Sequence, residues 1–276
     1  MNYKLYPPVK QIAYQSAWCD LELLHGARCN VALEQQLLDR LPNTMKPDCV
    51  PQEGAYTFSV GEPPHCAKAN RAQGYLLRVA ERGISISAAD LAGLRYGLDT
   101  LLQLVEQAQD GRLSCLEIED YPSVLQRGLM LDVSRGKVYT REYLLGLVDM
   151  LGRLRYNVLQ LYIEHTFEFK KHPEICQGSD PLTADDILAV QARCKENGIE
   201  LQANLQSLGH CNRILTRAEH QNLAESDLYW SLSTTSADAL QLLEELYGEY
   251  LPLFESKWLN VCLDEPYDIG SGQSAH

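Results

Sequence analysis

The sequence carries no clustered run of Lys or Arg, and its net charge is −13. Binding to a phosphate backbone relies on such clusters, so nucleic acid is excluded as a partner. No stretch approaches ~18 uninterrupted apolar residues, and the opening M-N-Y-K-L-Y-P-P-V-K has no apolar core of signal-peptide length. The expectation is a cytoplasmic protein with no membrane partner. Nine cysteines are scattered without a single C-x-x-C pair, which is neither a zinc ribbon nor a disulfide framework. They read as small buried thiols in a reducing compartment. There is no fixed-period repeat, no low-complexity tract and no G-x-G-x-x-G.

What is present is ordinary globular material, 45% hydrophobic and 22% charged, in a length that suggests about two domains. The pattern of elements changes near residue 122. Before it, residues 74–87 (G-Y-L-L-R-V-A-E-R-G-I-S-I-S) read as two short strands around a turn at Glu81, Arg82 and Gly83. A helix follows over about 89–108, with Leu91, Leu94, Leu98, Leu101 and Val105 on one face, and a strand returns at 116–118. This is the pattern of a small α+β domain, 1–122.

From residue 123 onward the chain alternates. Residues 128–133 (G-L-M-L-D-V) form a strand, Thr140 caps a helix to about Arg155, and 157–163 form the next strand. Thr183 with Asp186 makes a capping-box pattern before a helix that stops at Gly198. Residues 199–205 are a third strand, Ser236 caps a helix to about Tyr250, and 259–263 are a fourth, buried strand. Strand and helix in alternation predict an α/β fold with a parallel sheet. Without a glycine fingerprint after the first strand, a nucleotide-binding doubly wound sheet is the weaker choice. A (β/α)8 TIM-barrel type, whose active site collects at the C-terminal strand ends, is favoured by what stands there. The four strands run out to Asp132 and Arg135, to Glu164 and His165, to His210, and to Asp264 and Glu265.

Successive strand residues point to opposite faces, so Asp264 and Glu265 share a pocket only where regular pleat ends, as Pro266 allows. Their mutual repulsion disfavours holding both charges, which suits one of them to donate a proton. A conventional glycosidase pair flanks the bond at about 5 to 9.5 Å. Neighbours on one strand do not straddle a sugar ring, so a substrate-assisted mechanism fits them better.

Five segments in order carry a family resemblance: D-L-A-G-L-R-Y-G-L-D-T-L-L-Q-L (90–104), I-E-D-Y-P (118–122), R-G-L-M-L-D-V-S-R (127–135), L-G-H (208–210) and L-D-E (263–265). Together they resemble glycoside hydrolase family 20, the β-N-acetylhexosaminidases, over roughly residues 70 to 270. The resemblance implies an accessory α+β domain followed by the catalytic barrel. It implies retaining removal of terminal N-acetylglucosamine or N-acetylgalactosamine from β-linked oligosaccharides or glycoconjugates, through attack by the substrate's own acetamide oxygen. Glu265 would be the acid and then the base, and Asp264 would hold the acetamide nitrogen. Arg135 would bind sugar hydroxyls, and His210 would stand behind the carboxylates. No metal or organic cofactor is implied, and oligomerisation is left open.

The chain also departs from the family pattern. Gln160 and Tyr162 replace the histidines of an H-x-H strand end, which leaves Glu164 and His165 to contact a different part of the substrate. A barrel takes about 250 residues, and 149 follow Arg127. The expectation is therefore four strands of eight, from the first half of a longer enzyme. The family's later tryptophans are absent, and neither Trp230 nor Trp258 replaces them by position. Two other readings stand beside this one. A catalytically inactive truncated barrel would bind sugar or a partner. A metal-dependent barrel hydrolase or isomerase would draw ligands from Asp132, Glu164, His165, His210, Asp264 and Glu265. His25, His65, His172 and His220 read as solvated.

Overall fold

The computed structural model of the chain describes residues 2–33, 38–39, 41–46, 56–61 and 71–275. Contacts divide the chain into two units, Met1–Leu125 with Arg153–Arg155, and Gln126–Gly152 with Tyr156–His276. His65, Cys49 and Cys66 lie outside the described residues. The seven described cysteines are free, and all but Cys29 are buried.

The first unit is built on a mixed sheet. Its strands are β1 (Gln11–Asp20), β2 (Ala27–Cys29), β3 (Tyr56–Val60), β4 (Tyr75–Ala80), β5 (Gly83–Ala88) and β6 (Arg112–Asp120), in the order β1-β6-β4-β5-β3-β2. The hairpin read at 74–87 is present as β4 and β5, closing where Ala80 pairs with Gly83. The first three strands carry no clear alternation; β1 is an edge strand that exposes most of its residues and slips register between Tyr14 and Trp18.

Helix α1 (Leu91–Glu106) starts where the Asp90 carboxylate accepts the Gly93 N–H at 2.8 Å. Leu94, Leu98, Leu101 and Leu104 are buried against the sheet. Leu91 was expected in that stripe but is exposed, because it stands at the first helical position. Two glycines set how closely α1 lies on the strands. A Cβ on Gly93 would stand 2.3 Å from the Gly74 carbonyl oxygen, and one on Gly97 would stand 2.6 Å from the Ile86 methyl.

Arg155 also belongs to this unit. The helix expected to reach it stops at Arg153, and Arg155 takes a left-handed backbone with φ +62°. Its buried guanidinium pairs with Asp120 and donates to Thr100 Oγ1 at 2.7 Å and to the Tyr75 hydroxyl at 3.2 Å. A buried cation requires such partners, since desolvation is otherwise costly.

The second unit is α/β. Strands β7 (Gly128–Asp132), β8 (Val158–Tyr162), β9 (Glu200–Asn204) and β10 (Leu259–Asn260) pair in parallel in the order β10-β9-β8-β7. Helices α2 (Arg141–Arg153), α3 (Ala184–Glu196), the short α4 (Asn212–Leu215) and α5 (Ala237–Tyr250) connect them. The Thr183–Asp186 capping box and the Ser236 cap form as their sequence implies. Leu159, Leu161, Leu201 and Ala203 pack with Val148, Leu151, Ile187, Val190, Leu242 and Leu246 in one core. The period of two places amides on the opposite face, where Gln160 bonds Gln202 and Asn204, each at 2.9 Å.

The fourth strand is shorter than its apolar run suggests. Only Leu259 and Asn260 pair, and Val261 and Leu263 are exposed. The Asn260 side chain accepts the Cys262 N–H at 3.1 Å, and Cys262 turns to φ +51°. That local bond draws the backbone out of the ladder.

Gly→Ala substitutions should therefore split by position. Gly93→Ala or Gly97→Ala should lose about 1–3 kcal/mol through overpacking, although alanine is the better helix former. Gly146 in α2 meets nothing within 4 Å of its would-be Cβ. Gly146→Ala should gain up to ~1 kcal/mol. Denaturant titration of the three variants checks the opposite signs.

Candidate active site at the ends of the parallel strands

The turn after β7 is organised by one carboxylate. Asp132 Oδ1 accepts the backbone N–H of Ser134 at 2.9 Å and of Arg135 at 3.0 Å, and Oδ2 takes Arg135 Nε at 2.5 Å. Burial alone would raise the Asp132 pKa, but these bonds and the guanidinium outweigh it and hold the group below its ordinary range. The guanidinium, fixed in this way, lies 4.6 Å over the Tyr162 ring and 4.0 Å from Glu164 Oε1.

Beyond β8 the chain carries Glu164 and His165 to opposite sides. Glu164 is buried, its backbone N–H donates to Ser134 Oγ at 2.8 Å, and Tyr162 OH donates to its Oε1 at 2.9 Å. Burial raises the Glu164 pKa despite the opposing influence of Tyr162, His210 and Arg135. His165 points elsewhere, into the walls of a cavity of about 300 Å³ shared with Ser134, Lys137, Thr166, Arg213 and Arg217. Burial, then Arg213 and Arg217, lower its pKa. The donor set Asp132, Glu164, His165, His210, Asp264 and Glu265 is thus not gathered at one point.

His210 joins the third strand's end to the fourth's. Its Nε2 lies 3.2 Å from Glu265 Oε2 and 3.4 Å from Asp264 Oδ2, and its Nδ1 lies 3.8 Å from Glu164 Oε1. The two neighbouring carboxylates share one imidazole nitrogen because they stand outside the strand, with Glu265 at φ +51°. His210 itself adopts φ +59°. Gly209 allows the approach, since a Cβ there would stand 2.4 Å from the Asp264 carbonyl oxygen. Gln206 Nε2 donates to Asp264 Oδ1 at 3.3 Å.

Of the residues singled out in the sequence, Arg135, Glu164, His210, Asp264 and Glu265 come together, and His165 does not. Aromatic neighbours complete the group. Trp230, which sequence position gave no place in the site, packs on His210 with ring centroids 4.6 Å apart. Its indole N–H donates to the Glu265 carbonyl oxygen at 2.8 Å, and Tyr267 stacks on it at 5.1 Å. Trp258 is exposed. No local pattern marks Trp230 or Tyr267, which meet through loop contacts distant in sequence.

Residues 3–121 match the family model described as glycosyl hydrolase family 20, domain 2. The β-hexosaminidase subunit A2 of Dictyostelium discoideum is 25% identical over 211 residues, 70% of this chain and 38% of that protein. The β-hexosaminidase subunit beta of Entamoeba histolytica is 33% identical over 110 residues, 37% of this chain and 19% of that protein. Among solved structures, a chitobiase of Flavobacterium johnsoniae superposes with TM-score 0.74 at 21% identity, covering 96% of this chain and 45% of that one. An exo-β-N-acetylglucosaminidase of Vibrio harveyi does so with TM-score 0.74 at 19% identity, covering 98% and 48%.

Residues 3–121 are thus similar to family 20 domain 2, and the chain is similar to part of the length of these β-hexosaminidases. It spans 19% to 38% of those two curated relatives and about half of those solved chains. Among the described residues no helix is long and apolar enough to cross a membrane.

The raised pKa of Glu164 has a stability consequence. A carboxyl that binds its proton more tightly when folded favours the folded state below its unfolded pKa, and that advantage is lost as pH rises through the folded pKa. Glu164→Gln should therefore melt higher than the parent at pH 7, with the gap closing toward pH 4. A lower melting temperature at pH 7 would show that Arg135 and His210 more than repay the buried charge.

Proposed function

We propose that this chain is the leading part of a β-N-acetylhexosaminidase that removes terminal N-acetylhexosamine from β-linked glycans. In this reading residues 1–122 are the accessory domain and 123–276 open a (β/α)8 barrel. The sequential order of four parallel strands, with helices between them, supports that assignment. The observation that carries the chemistry is the meeting of Asp264 and Glu265 on one nitrogen of His210.

Two carboxylates approached by the same imidazole atom stand on one side of the substrate. They do not bracket a sugar as an acid and nucleophile pair must. The nucleophile is then the substrate's acetamide oxygen. Glu265 gives its proton to the glycosidic oxygen as the C1–O bond breaks and the acetamide oxygen bonds C1. The alcohol leaves, and Asp264 accepts the acetamide N–H and balances the positive charge on the oxazolinium ring. Water then attacks C1, Glu265 takes its proton, and the ring opens with net retention.

Arg135 presents its fork of donors to the sugar hydroxyls, with its orientation set by Asp132 and the Tyr162 ring. His210 is a positioning residue that holds both carboxylates. Trp230 and Tyr267 add apolar surface beside them.

The native gene product should release 4-nitrophenol from 4-nitrophenyl N-acetyl-β-glucosaminide. Its intact mass should exceed the 31.1 kDa of this chain. Glu265→Gln should lower the rate by about 10²–10⁴. A Gln variant with parental rate would remove Glu265 from the role of acid.

A further inference from the structure

A second polar cluster lies in the second unit, apart from the residues just described. His172 and Glu174 stand in the segment after β8, His220 precedes the turn Gln221–Leu223, and Glu245 projects from α5. Both histidines were expected in solvent. Instead the His220 side chain is only 6% exposed and that of His172 is 18% exposed. The reason is a set of carboxylates, brought from distant parts of the sequence, that gives each imidazole a partner.

The geometry leaves a particular electrostatic problem. A neutral imidazole has one N–H and one lone pair. Glu245 Oε2 lies 2.7 Å from His172 Nε2, and Gln241 occupies the other Glu245 oxygen at 2.8 Å, so the carboxylate faces His172 as an acceptor. The second His172 nitrogen, Nδ1, then turns its lone pair toward another acceptor, Glu174 Oε1, at 3.3 Å. His220 Nε2 approaches that same oxygen at 2.7 Å. Two lone pairs face each other unless a positive charge lies between them, either a proton on the ring or a metal ion.

The placement matches the second choice. One donor atom from each of His172, Glu174 and His220 lies within 4.8 Å of the other two. Ligands about 2.1 Å from a tetrahedral ion stand about 3.4 Å apart; Glu174 Oε1 already lies 3.3 Å from His172 Nδ1, and its 2.7 Å contact with His220 Nε2 opens slightly as an ion enters. Glu245, bonded to the far nitrogen of His172, occupies the place of the carboxylate that orients a metal-binding histidine from behind. The segment is held independently, because Glu249 on α5 accepts the backbone N–H of Lys170 at 2.7 Å and of Lys171 at 3.0 Å. The segment that carries His172 and Glu174 is therefore held in place before any ion arrives.

We propose that His172 Nδ1, His220 Nε2 and Glu174 bind a divalent transition-metal ion of the Zn²⁺ class, with Glu245 orienting His172. Two imidazoles and one carboxylate suit zinc, cobalt or nickel rather than calcium or magnesium, which prefer all-oxygen sites. The ion joins the loop after β8 to the segment before Gln221, at a place separate from the reaction proposed for Asp264 and Glu265. The ion must displace any proton from the imidazoles, so affinity falls as pH falls.

The test uses the full chain, stripped with a chelator, then titrated with Zn²⁺ by calorimetry and with Co²⁺ by visible absorption. One equivalent per chain is expected, with a tetrahedral-type Co²⁺ spectrum, a higher melting temperature and no response to Ca²⁺. His172→Ala and His220→Gln should each weaken binding at least tenfold, while His25→Ala, at an exposed histidine, should not. Because His220 is buried, His172→Ala decides the matter if the His220 variant fails to fold. Absent binding, or Zn²⁺ bound equally well by His172→Ala, would overturn the site and leave the cluster as ion pairs bridged by protons.

Discussion

The arrangement of the strand ends depends on one close approach of backbone to backbone. Gly209 lets the loop after β9 lie against the carbonyl of Asp264, at a separation no side chain could share. That approach delivers His210, in a left-handed conformation, to the two carboxylates beyond β10. Backbone of this kind costs energy at a residue with a Cβ. It persists here because the indole N–H of Trp230 fastens the Glu265 carbonyl while its ring packs on His210. The strand supplies direction, and these loop contacts supply position.

The charges around this point are graded by burial. Glu265 and Asp264 are well exposed, Glu164 is buried, and His210 lies between them with only 8% of its side chain exposed. Arg135 is fixed by Asp132 before it reaches Glu164, so its direction is set within its own turn. Such a layout places a fixed positive group and hydrogen-bonding groups around the acceptors. The buried charge on Glu164 is the part that folding has to tolerate for it.

The two sheets solve different problems with the same alphabet. In the first unit α1 comes close enough to touch strands through Gly93 and Gly97, and Arg155 satisfies the polar groups of Asp120, Thr100 and Tyr75 in an otherwise apolar interior. In the second unit helices cover one face of the parallel sheet with leucine, isoleucine and valine, while the other face carries amides bonded to one another. A period of two is enough to separate those faces.

The sequence by itself determined the elements whose signals are local. The caps at Thr183 and Ser236, the hairpin at residues 74–87 and the strand–helix alternation after residue 128 depend on neighbours within a few positions. The polar strand ends were legible for the same reason, which is why Arg135, Glu164, His210, Asp264 and Glu265 were singled out before their contacts were known. Tertiary structure decided what depends on distant partners. Asn260 ended the fourth strand early by capturing the Cys262 N–H, although the mostly apolar run 259–263 promised more. The bend beyond β8 sent His165 away from Glu164, and loop packing brought Trp230 and Tyr267 in. The burial of His172 and His220 required Glu174 and Glu245, the latter 73 residues from His172, and no reading of local pattern finds a partner at that range.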